Sequence, residues 1–446
     1  MDLNLTGRQP TFRSNVNKTN PTRALILLAL MIAALFLLRS VQTEQIRSPF
    51  LPTLIPTRTS ASYALEGETH FQAGDLPKAI TAYQQAVQLD PNNGELWHEL
   101  ARIQGYSSAL LTTDKQKAAR LEEAMVSINK AVEVAPENST VRAVRAFLLD
   151  WSSQNALAGD QSVNLLNEAE QEAIHALQLD NQNTLALAYY AEILVDEFKY
   201  LQAFEYASQA LERDDSLMDV NRIYAQVRET LGYYGDAIEY YKRAIDINPN
   251  LTFLYIYVGA NYRHLKQYDL ALEYYAKAVS INEQLGVRDP IPYIAIGKTY
   301  SQMGEFFIAS RNVEKALRYN PDNPDVYGAL GIIYFRARNY EGSMLALKCA
   351  IYGCTAEESC EVRQCDSETE APIVIEGMPL TDSTVVYYYT YGSVLSALHR
   401  PYNNYCEEAL KVMGEVRAVY SNEPIAMSVV ESSEAICQSF GYTRKR

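Results

Sequence analysis

One eighteen-residue pattern recurs along this chain and constrains its fold more than any other sequence feature. Its clearest copy is GYYGDAIEYYKRAIDINP at residues 232–249, and it returns as GDLPKAITAYQQAVQLDP at 74–91 and GEFFIASRNVEKALRYNP at 304–321. The base period is 34 residues. Within each unit, apolar residues recur at spacings of three and four, and proline ends the second half, so each unit predicts two helices. The chain therefore predicts an all-α fold built from stacked helix pairs.

Small residues occupy two fixed places in these units. Position 8 of eight successive units is Gly67, Ala101, Ala146, Ala191, Ala225, Gly259, Gly297 and Gly331. Position 20 is Ala79, Ala124, Ala169, Ala203, Ala237, Ala271, Ala309 and Ser343. This pattern resembles the tetratricopeptide-repeat (TPR) family, in which helices A and B of each repeat cross closely at these places. The resemblance implies an α-solenoid of about nine helix-turn-helix repeats wound into a right-handed superhelix.

The period divides residues 60–353 into eight repeats. Their ranges are 60–93, 94–138, 139–183, 184–217, 218–251, 252–285, 290–323 and 324–353. Residues 385–446 resemble a degenerate ninth repeat, with Gly392 at position 8, followed by a capping helix over about 424–440. Repeats two and three each carry eleven extra residues, which predict either longer helices joined by a wider turn or two loops that touch a partner.

The N-terminus holds a candidate membrane segment. Ala24 to Leu38 is an unbroken run of fifteen apolar residues, and Arg23 and Arg39 flank it. A full span needs about 20 residues, so flanking residues must extend this one. We predict an uncleaved transmembrane signal anchor over residues 24–41. The rival interpretation is a cleaved signal peptide, but a small-x-small cleavage site is absent just after Leu38.

The basic residues around this segment predict its orientation. Arg8, Arg13, Lys18 and Arg23 precede the span, whereas only Arg39 and Arg47 follow it closely. By the positive-inside rule, residues 1–23 form a cytoplasmic basic tail and the body lies outside the cytoplasm. Residues 42–59, rich in proline and threonine, predict a semi-extended linker. We expect a single-pass membrane protein with an extracytoplasmic repeat body.

The charge distribution narrows the class of partner. The 446 residues carry a formal net charge of −15, of which residues 1–60 contribute +5, so the remaining chain sums to −20. A body this acidic repels phosphate backbones, and we predict no nucleic-acid partner.

All six cysteines lie in the last 98 residues, at Cys349, Cys354, Cys360, Cys365, Cys406 and Cys437. An even, clustered set predicts disulfides in an oxidising compartment, which agrees with the predicted topology. If 402–420 and 424–440 form a helical hairpin, Cys406 and Cys437 face each other at its open end, so we predict a bond between them. Within a cysteine-rich acidic loop at 354–384, we predict the nested pairs Cys349–Cys365 and Cys354–Cys360.

No motif for catalysis is found in the sequence. The five histidines are scattered, and no Walker A, GxGxxG or G-x-S-x-G pattern occurs. The cysteine spacing is not the paired C-x-x-C of a zinc knuckle, and the acidic loop lacks the EF-hand calcium spacing. We predict no enzymatic activity, no metal, no cofactor and no small-molecule substrate, and we leave self-association open.

In the TPR family, positions 2, 5, 9, 12 and 13 of helix A point into a concave groove. Carried over to repeats five to eight, they give Arg222, Gln226, Phe253, Ile256, Arg263, His264, Lys298, Ile332, Phe335 and Arg336. This basic and apolar surface suits an extended peptide with acidic and apolar groups, because arginine forms charge-assisted hydrogen bonds with carboxylates. We expect that exchanging Arg222 and Arg263 for glutamate abolishes partner capture without lowering the melting temperature.

Two functional interpretations follow. The first is a membrane-anchored extracytoplasmic scaffold that binds a protein or peptide partner in the groove. The alternative is a cytoplasm-facing regulatory adaptor, because the chain resembles envelope-biogenesis regulators that join one membrane helix, TPRs and a C-terminal rubredoxin-like metal knuckle. Those regulators use paired C-x-x-C motifs, which this sequence lacks.

Overall fold

A computed structural model describes residues 20–42, 58–111, 113–366 and 370–443. Residues 1–19 of the predicted basic tail (1–23) and residues 43–57 of the predicted linker (42–59) lie outside the described residues. The chain divides into two units, Met1–Arg58 and Thr59–Arg446, and each is considered by itself.

Helices account for nearly all of the regular structure in the described ranges. In chain order they are α1 (Pro21–Gln42), α2 (Ser60–Gln72), α3 (Leu76–Leu89), α4 (Gly94–Ser108), α5 (Asp114–Val134), α6 (Ser139–Ser153), a 3-10 helix (Ala156–Gln161), α7 (Ser162–Leu179), α8 (Thr184–Asp196), α9 (Tyr200–Arg213), α10 (Met218–Thr230), α11 (Tyr234–Ile247), α12 (Thr252–His264), α13 (Tyr268–Leu285), α14 (Ile291–Met303), α15 (Phe306–Tyr319), α16 (Pro324–Arg336), α17 (Tyr340–Ile351), α18 (Ala356–Arg363), α19 (Val385–Leu398), α20 (Cys406–Tyr420) and α21 (Pro424–Ser439). The β pairing within these ranges consists of two isolated bridges, Cys354 with Ile375 and Arg400 with Asn403.

Helix α1 makes up nearly all of the described part of the first unit. Its 22 residues extend beyond the fifteen-residue apolar run at both ends, and at 1.5 Å per residue they span about 33 Å. None of the apolar window Pro21–Ser40 is buried. By length and composition, α1 meets the requirement for a membrane span of about 30 Å, and a signal sequence meets the same test.

The second unit is a solenoid of helix pairs. Successive helices pack on each other from α2 to α17, α19 pairs with α20, and α21 packs on both. All eight small residues predicted at position 20 are fully buried. At position 8 the two helices touch, because a Cβ added to Gly331 would lie 2.6 Å from Leu347 Cγ. The structure confirms the predicted all-α solenoid.

The extra residues of repeats two and three lengthen the helices and widen the turns between them. Helices α5 and α7 contain 21 and 18 residues, against 14 in the second helices of repeats one, four and five. The two wide turns are neighbours, because Asn155 Nδ2 donates a hydrogen bond to the Asp114 carbonyl oxygen at 3.1 Å. This arrangement is the first of the two alternatives predicted for the extra residues, longer helices joined by a wider turn.

The hydrophobic core has two large clusters. The first runs from Phe71 to Ala278 and covers repeats one to six. The second runs from Tyr293 to Cys437 and covers repeats seven to nine with the capping helix. The division falls at the connection between α13 and α14, where Gly286 turns the chain with a φ of 68°. The solenoid therefore has an N-terminal and a C-terminal section.

The N-terminal section closes on itself across its concave face. A Cβ added to Gly74, in the first repeat, would lie 2.5 Å from the carbonyl oxygen of Asn250, which precedes α12. Tyr106 of α4 stacks on Phe253 of α12, with ring centroids 5.9 Å apart. Repeats one and two therefore contact repeats five and six directly, and side chains fill the space between them.

The disulfide pairs agree with the prediction in the helical hairpin and differ from it in the cysteine-rich region. Cys406 of α20 bonds to Cys437 of α21, the pair expected from the helical hairpin, with Cα atoms 5.5 Å apart. The other bonds are Cys349–Cys354 and Cys360–Cys365, so the predicted nested pairs Cys349–Cys365 and Cys354–Cys360 are wrong.

The reason is that residues 356–363 form helix α18 inside the predicted acidic loop. Each short bond spans the C-terminal turn of a helix, α17 or α18. A residue with positive φ, Gly353 at 79° or Gln364 at 53°, turns the chain back so that the next cysteine reaches the helix it has just left.

Candidate functional site

The ten residues predicted to line one groove separate into three groups. Arg222, Gln226 and His264 line a cavity of about 500 Å³. Arg263, Lys298, Ile332 and Arg336 line a second cavity of about 260 Å³. Phe253, Ile256 and Phe335 line neither: Phe253 is buried against Tyr106, Ile256 packs on the first core cluster, and the Phe335 ring lies 6.0 Å from that of Tyr340.

The larger cavity, termed the repeat 3–6 cavity, is polar and aromatic. Its lining side chains come from helices α6, α8, α10, α11 and α12 and from the turn after α6. They are Trp151, Gln154, Glu192, Arg222, Gln226, Glu229, Thr230, Tyr234, Tyr241, Tyr257 and His264.

Arg222 is a buried ion-pair partner rather than a free groove cation. It is only 2% exposed, and its Nη1 and Nη2 donate to Glu192 Oε1 and Oε2, both at 2.7 Å. Trp151 Nε1 also donates to Glu192, at 3.1 Å, and the guanidinium lies 5.6 Å from the Trp151 ring. The prediction that Arg222 can be reversed to glutamate without loss of stability is therefore corrected, because the reversal would bury two facing carboxylates.

Asp219 links three helices beside this cavity. The hydroxyls of Tyr106 and Tyr189 both donate to its Oδ1, the second at 2.6 Å, and Arg102 Nη1 donates to its Oδ2 at 3.0 Å. The pKa of both tyrosines is raised, mainly by burial and to a smaller extent by the negative charge of Asp219. Their hydroxyls therefore stay protonated and act as donors. The network joins α4, α8 and α10 across the concave face.

A second acidic pair lies beyond Gln154. The pair is Asp150 and Asp196. Gln154 Nε2 donates to Asp196 Oδ2 at 2.6 Å and to Asp150 Oδ2 at 3.4 Å. Burial and the neighbouring Glu192 raise the pKa of Asp196 to about 7, and burial together with Asp196 and Glu192 also raises the pKa of Asp150 well above its ordinary value. The two carboxyl groups therefore retain a shared proton at neutral pH, because like charges this close cannot both ionise in a buried site.

The smaller cavity, termed the repeat 6–9 groove, is basic with an apolar floor. Arg263 of α12, Lys298 of α14 and Arg336 of α16 surround Ile332 and Val386. Lys298 and Arg336 are exposed. Among the described residues, no carboxylate forms an ion pair with any of the three cations. Their charge is therefore available to a ligand.

The sequence prediction missed the residues that fill the concave face of the first four repeats. The same inward positions 2, 5, 9, 12 and 13, applied there, include seven residues in or beside the network described above: Phe71, Arg102, Tyr106, Asp150, Trp151, Glu192 and Asp196. The signal was present in the repeat register. What the register lacked was the information that these side chains meet each other across the groove.

Comparisons with known proteins agree with the repeat architecture. A TPR repeat model matches residues 67–105, and tetratricopeptide-repeat models match residues 223–251, 258–285 and 294–352. The chain therefore contains tetratricopeptide repeats. No curated protein matches its sequence.

Three solved structures are among those that match this chain. MamA is 22% identical, covering 36% of this chain and 92% of its own, with a TM-score of 0.32. YrrB, described as a TPR protein with an unusual peptide-binding site, is 22% identical over 48% of this TPR chain and 97% of its own, with a TM-score of 0.33. The APC/C hetero-tetramer Cut9–Hcn1 is 14% identical over 85% of this chain and 78% of the other, with a TM-score of 0.47.

The TPR array makes this chain a protein–protein interaction scaffold with a protein or peptide partner. Stacked repeats of this kind present extended concave surfaces for binding. Here that surface is filled by the protein's own side chains in the N-terminal section and open in the repeat 6–9 groove.

The Arg222–Glu192 pair leads to a stability prediction. Arg222→Met leaves Glu192 buried without its cation and is expected to lower the free energy of unfolding by about 3–5 kcal/mol. Adding Glu192→Leu removes the uncompensated charge, so the double variant is expected to be more stable than Arg222→Met alone. Urea unfolding of both variants measures this coupling. Arg243→Met, at an exposed site on α11, serves as the control, with an expected change within about 0.5 kcal/mol.

The Asp150–Asp196 pair leads to a pH prediction. Folding raises the pKa of Asp196 from 3.8 to about 7, so this carboxyl group binds its proton more tightly in the folded chain. Its contribution to stability is therefore full below pH 4 and is lost as the pH rises through about 7. Asp196→Asn removes this titration. We expect the variant to be more stable than the parent at pH 8, by about 1–3 kcal/mol, and equally stable at pH 4. Thermal unfolding across this range checks it, and a difference that does not vary with pH contradicts the shared proton.

Proposed function

We propose that this protein is a membrane-anchored extracytoplasmic scaffold that captures a partner segment with acidic and apolar groups in the repeat 6–9 groove. The anchor is the segment 24–41 within α1. The proposed activity is binding without catalysis, and the partner is a protein or peptide rather than a nucleic acid. An acidic repeat body supports that choice, because its net charge repels phosphate backbones.

The unpaired cations of the groove carry the proposal. Arg263, Lys298 and Arg336 converge around an apolar floor in a chain whose body is otherwise strongly acidic. A carboxylate that enters this groove gains charge-assisted hydrogen bonds from arginine, and an apolar side chain gains contact with Ile332 and Val386. The arrangement therefore favours a segment that offers both kinds of group.

The cysteines support an oxidising compartment. All six are paired in disulfides, and bonds of this kind persist outside the reducing cytosol. The alternative, a cytoplasmic adaptor with a metal-binding knuckle, needs free thiolates as ligands. The pairing of Cys349 with Cys354 and of Cys360 with Cys365 uses the cysteines that such a knuckle would require, which favours the extracytoplasmic scaffold.

The groove can be tested by photo-crosslinking in the native host. A benzophenone amino acid at Ile332 is expected to give a discrete adduct of higher mass, and the same probe at exposed Lys277 on α13 is expected to give none. Lys298→Glu combined with Arg336→Glu is expected to abolish the adduct without changing the melting temperature, because both side chains are exposed and carry no ion pair with a described residue.

The matched control reverses the same amount of charge on the outer helices, by Arg243→Glu with Lys277→Glu. It is expected to leave the adduct at Ile332 intact. An adduct that survives the reversal at Lys298 and Arg336, or that is lost equally in the control, contradicts the repeat 6–9 groove as the binding site.

The compartment can be tested by counting free thiols. Protein isolated from its host, alkylated without reduction and weighed intact, is expected to carry no adduct, and after reduction it is expected to carry six. Six adducts without reduction would place the repeat body in the cytosol and favour the metal-binding adaptor.

A further inference from the structure

The repeat 3–6 cavity has the size and composition of a ligand site, and the partner groove proposed above does not use it. Its volume of about 500 Å³ lies within the range of about 300–1,000 Å³ that is common for ligand pockets. Four aromatic rings form its walls, Trp151, Tyr234, Tyr241 and Tyr257, and polar side chains lie between them.

Among the lining residues, Glu229 gives the clearest indication that this cavity binds a ligand. Tyr241 Oη and Asn261 Nδ2 both donate to its Oε2, each at 3.0 Å. Both donors are neutral, and among the described residues no cation pairs with this carboxylate and no donor reaches its Oε1. Glu229 therefore presents an uncompensated negative charge to an aromatic-walled space.

The cavity cannot neutralise that charge with its own arginine. Arg222 has committed both of its terminal nitrogens, Nη1 and Nη2, to Glu192. With histidine neutral, the ionisable lining of Glu192, Glu229 and Arg222 carries a formal charge of −1. A cationic ligand balances this charge, and the faces of the surrounding rings stabilise it further.

Arg222 also indicates a second group on the ligand. This side chain is only 2% exposed, yet its Nε has no acceptor among the described residues. A buried N–H without an acceptor is costly, so a ligand that brings a carbonyl oxygen removes that cost. A lysine or arginine within a peptide supplies both groups at once, the side-chain cation and the backbone carbonyl.

We infer that the repeat 3–6 cavity binds a lysine or arginine residue of a partner peptide, with its cation at Glu229 and a backbone carbonyl at Arg222. This inference rests on the proposed function, because it adds a second anchor point to the same partner segment. His264 lines the cavity and Arg263 lines the repeat 6–9 groove, and the two are consecutive residues at the end of α12. One extended segment can therefore place a basic residue in the cavity and an acidic, apolar stretch in the groove.

The fluorescence of Trp151 gives a direct test that does not require the natural partner. The chain has two tryptophans, so Trp97→Phe leaves Trp151, in the cavity wall, as the sole reporter. The full-length protein in this background is titrated with N-acetyl-lysine methylamide and N-acetyl-arginine methylamide. The neutral analogue is N-acetyl-norleucine methylamide, which keeps the alkyl chain and backbone carbonyls but lacks the charge.

We expect a saturable change with both cationic probes and none with norleucine. Glu229→Gln, which keeps an acceptor for Tyr241 and Asn261, is expected to weaken cation binding at least ten-fold, and Glu205→Gln, at an exposed site on α9, is expected to leave it unchanged. Absence of a saturable change, equal response to norleucine, or equal affinity in Glu229→Gln would overturn the inference. A saturable response to calcium chloride that competes with the lysine probe would also overturn it, by showing a metal site.

The outcome is distinguishable from failure of the proposed groove. The crosslinking test concerns Lys298 and Arg336, and neither lines the repeat 3–6 cavity. Probe binding that depends on Glu229 while groove crosslinks are absent supports the cavity and removes the groove, and the reverse result removes the cavity alone.

Discussion

The buried carboxylate of Asp219 is the interaction on which the N-terminal section depends. It is 4% exposed and accepts hydrogen bonds from Tyr106, Tyr189 and Arg102. These donors come from helices of the second and fourth repeats, whereas Asp219 itself belongs to the fifth. A buried charge is tolerated only when it is paired and fully hydrogen-bonded, so these partners must be present together. Because repeats in a solenoid normally contact only their neighbours, this network changes a linear stack into a section that closes across its own concave face.

Because of the closure, the concave face differs between the two sections of the solenoid. In repeats one to six, Tyr106, Phe253 and the Arg222–Glu192 pair occupy the surface that a TPR array normally offers to a partner, leaving the repeat 3–6 cavity as the remaining space. In the repeat 6–9 groove the concave face stays open, with three cations around an apolar floor. The disulfides lie in this second section, where Cys406–Cys437 fixes the capping helix to the last repeat. A disulfide that closes a longer loop restricts the unfolded chain more, so this bond contributes more to stability than the two short ones.

Most of the fold could be predicted from the sequence, because the same packing constraints recur in every repeat. Small residues at positions 8 and 20, such as Gly331 and Ala124, are required wherever two helices cross closely, and their period alone sets the helix pairs. The site was harder to predict, because position in a repeat says which way a side chain points but not what it meets. Arg222 points inward as predicted, yet Glu192 from the preceding repeat neutralises it. The nested disulfides failed for a similar reason: cysteine spacing does not show that Gly353 and Gln364 turn the chain back after a helix.

The first repeat closes onto the junction of repeats five and six. The distance between spin labels introduced by Ala73→Cys and Pro249→Cys measures this closure, because both positions are exposed and next to the Gly74–Asn250 contact. The six native cysteines are in disulfides, so only the introduced ones react. We expect one narrow distance distribution at the short end of the measurable range, and Asp219→Ala should broaden it. A long or broad distribution in the protein with native Asp219 would show an open superhelix and contradict the closure.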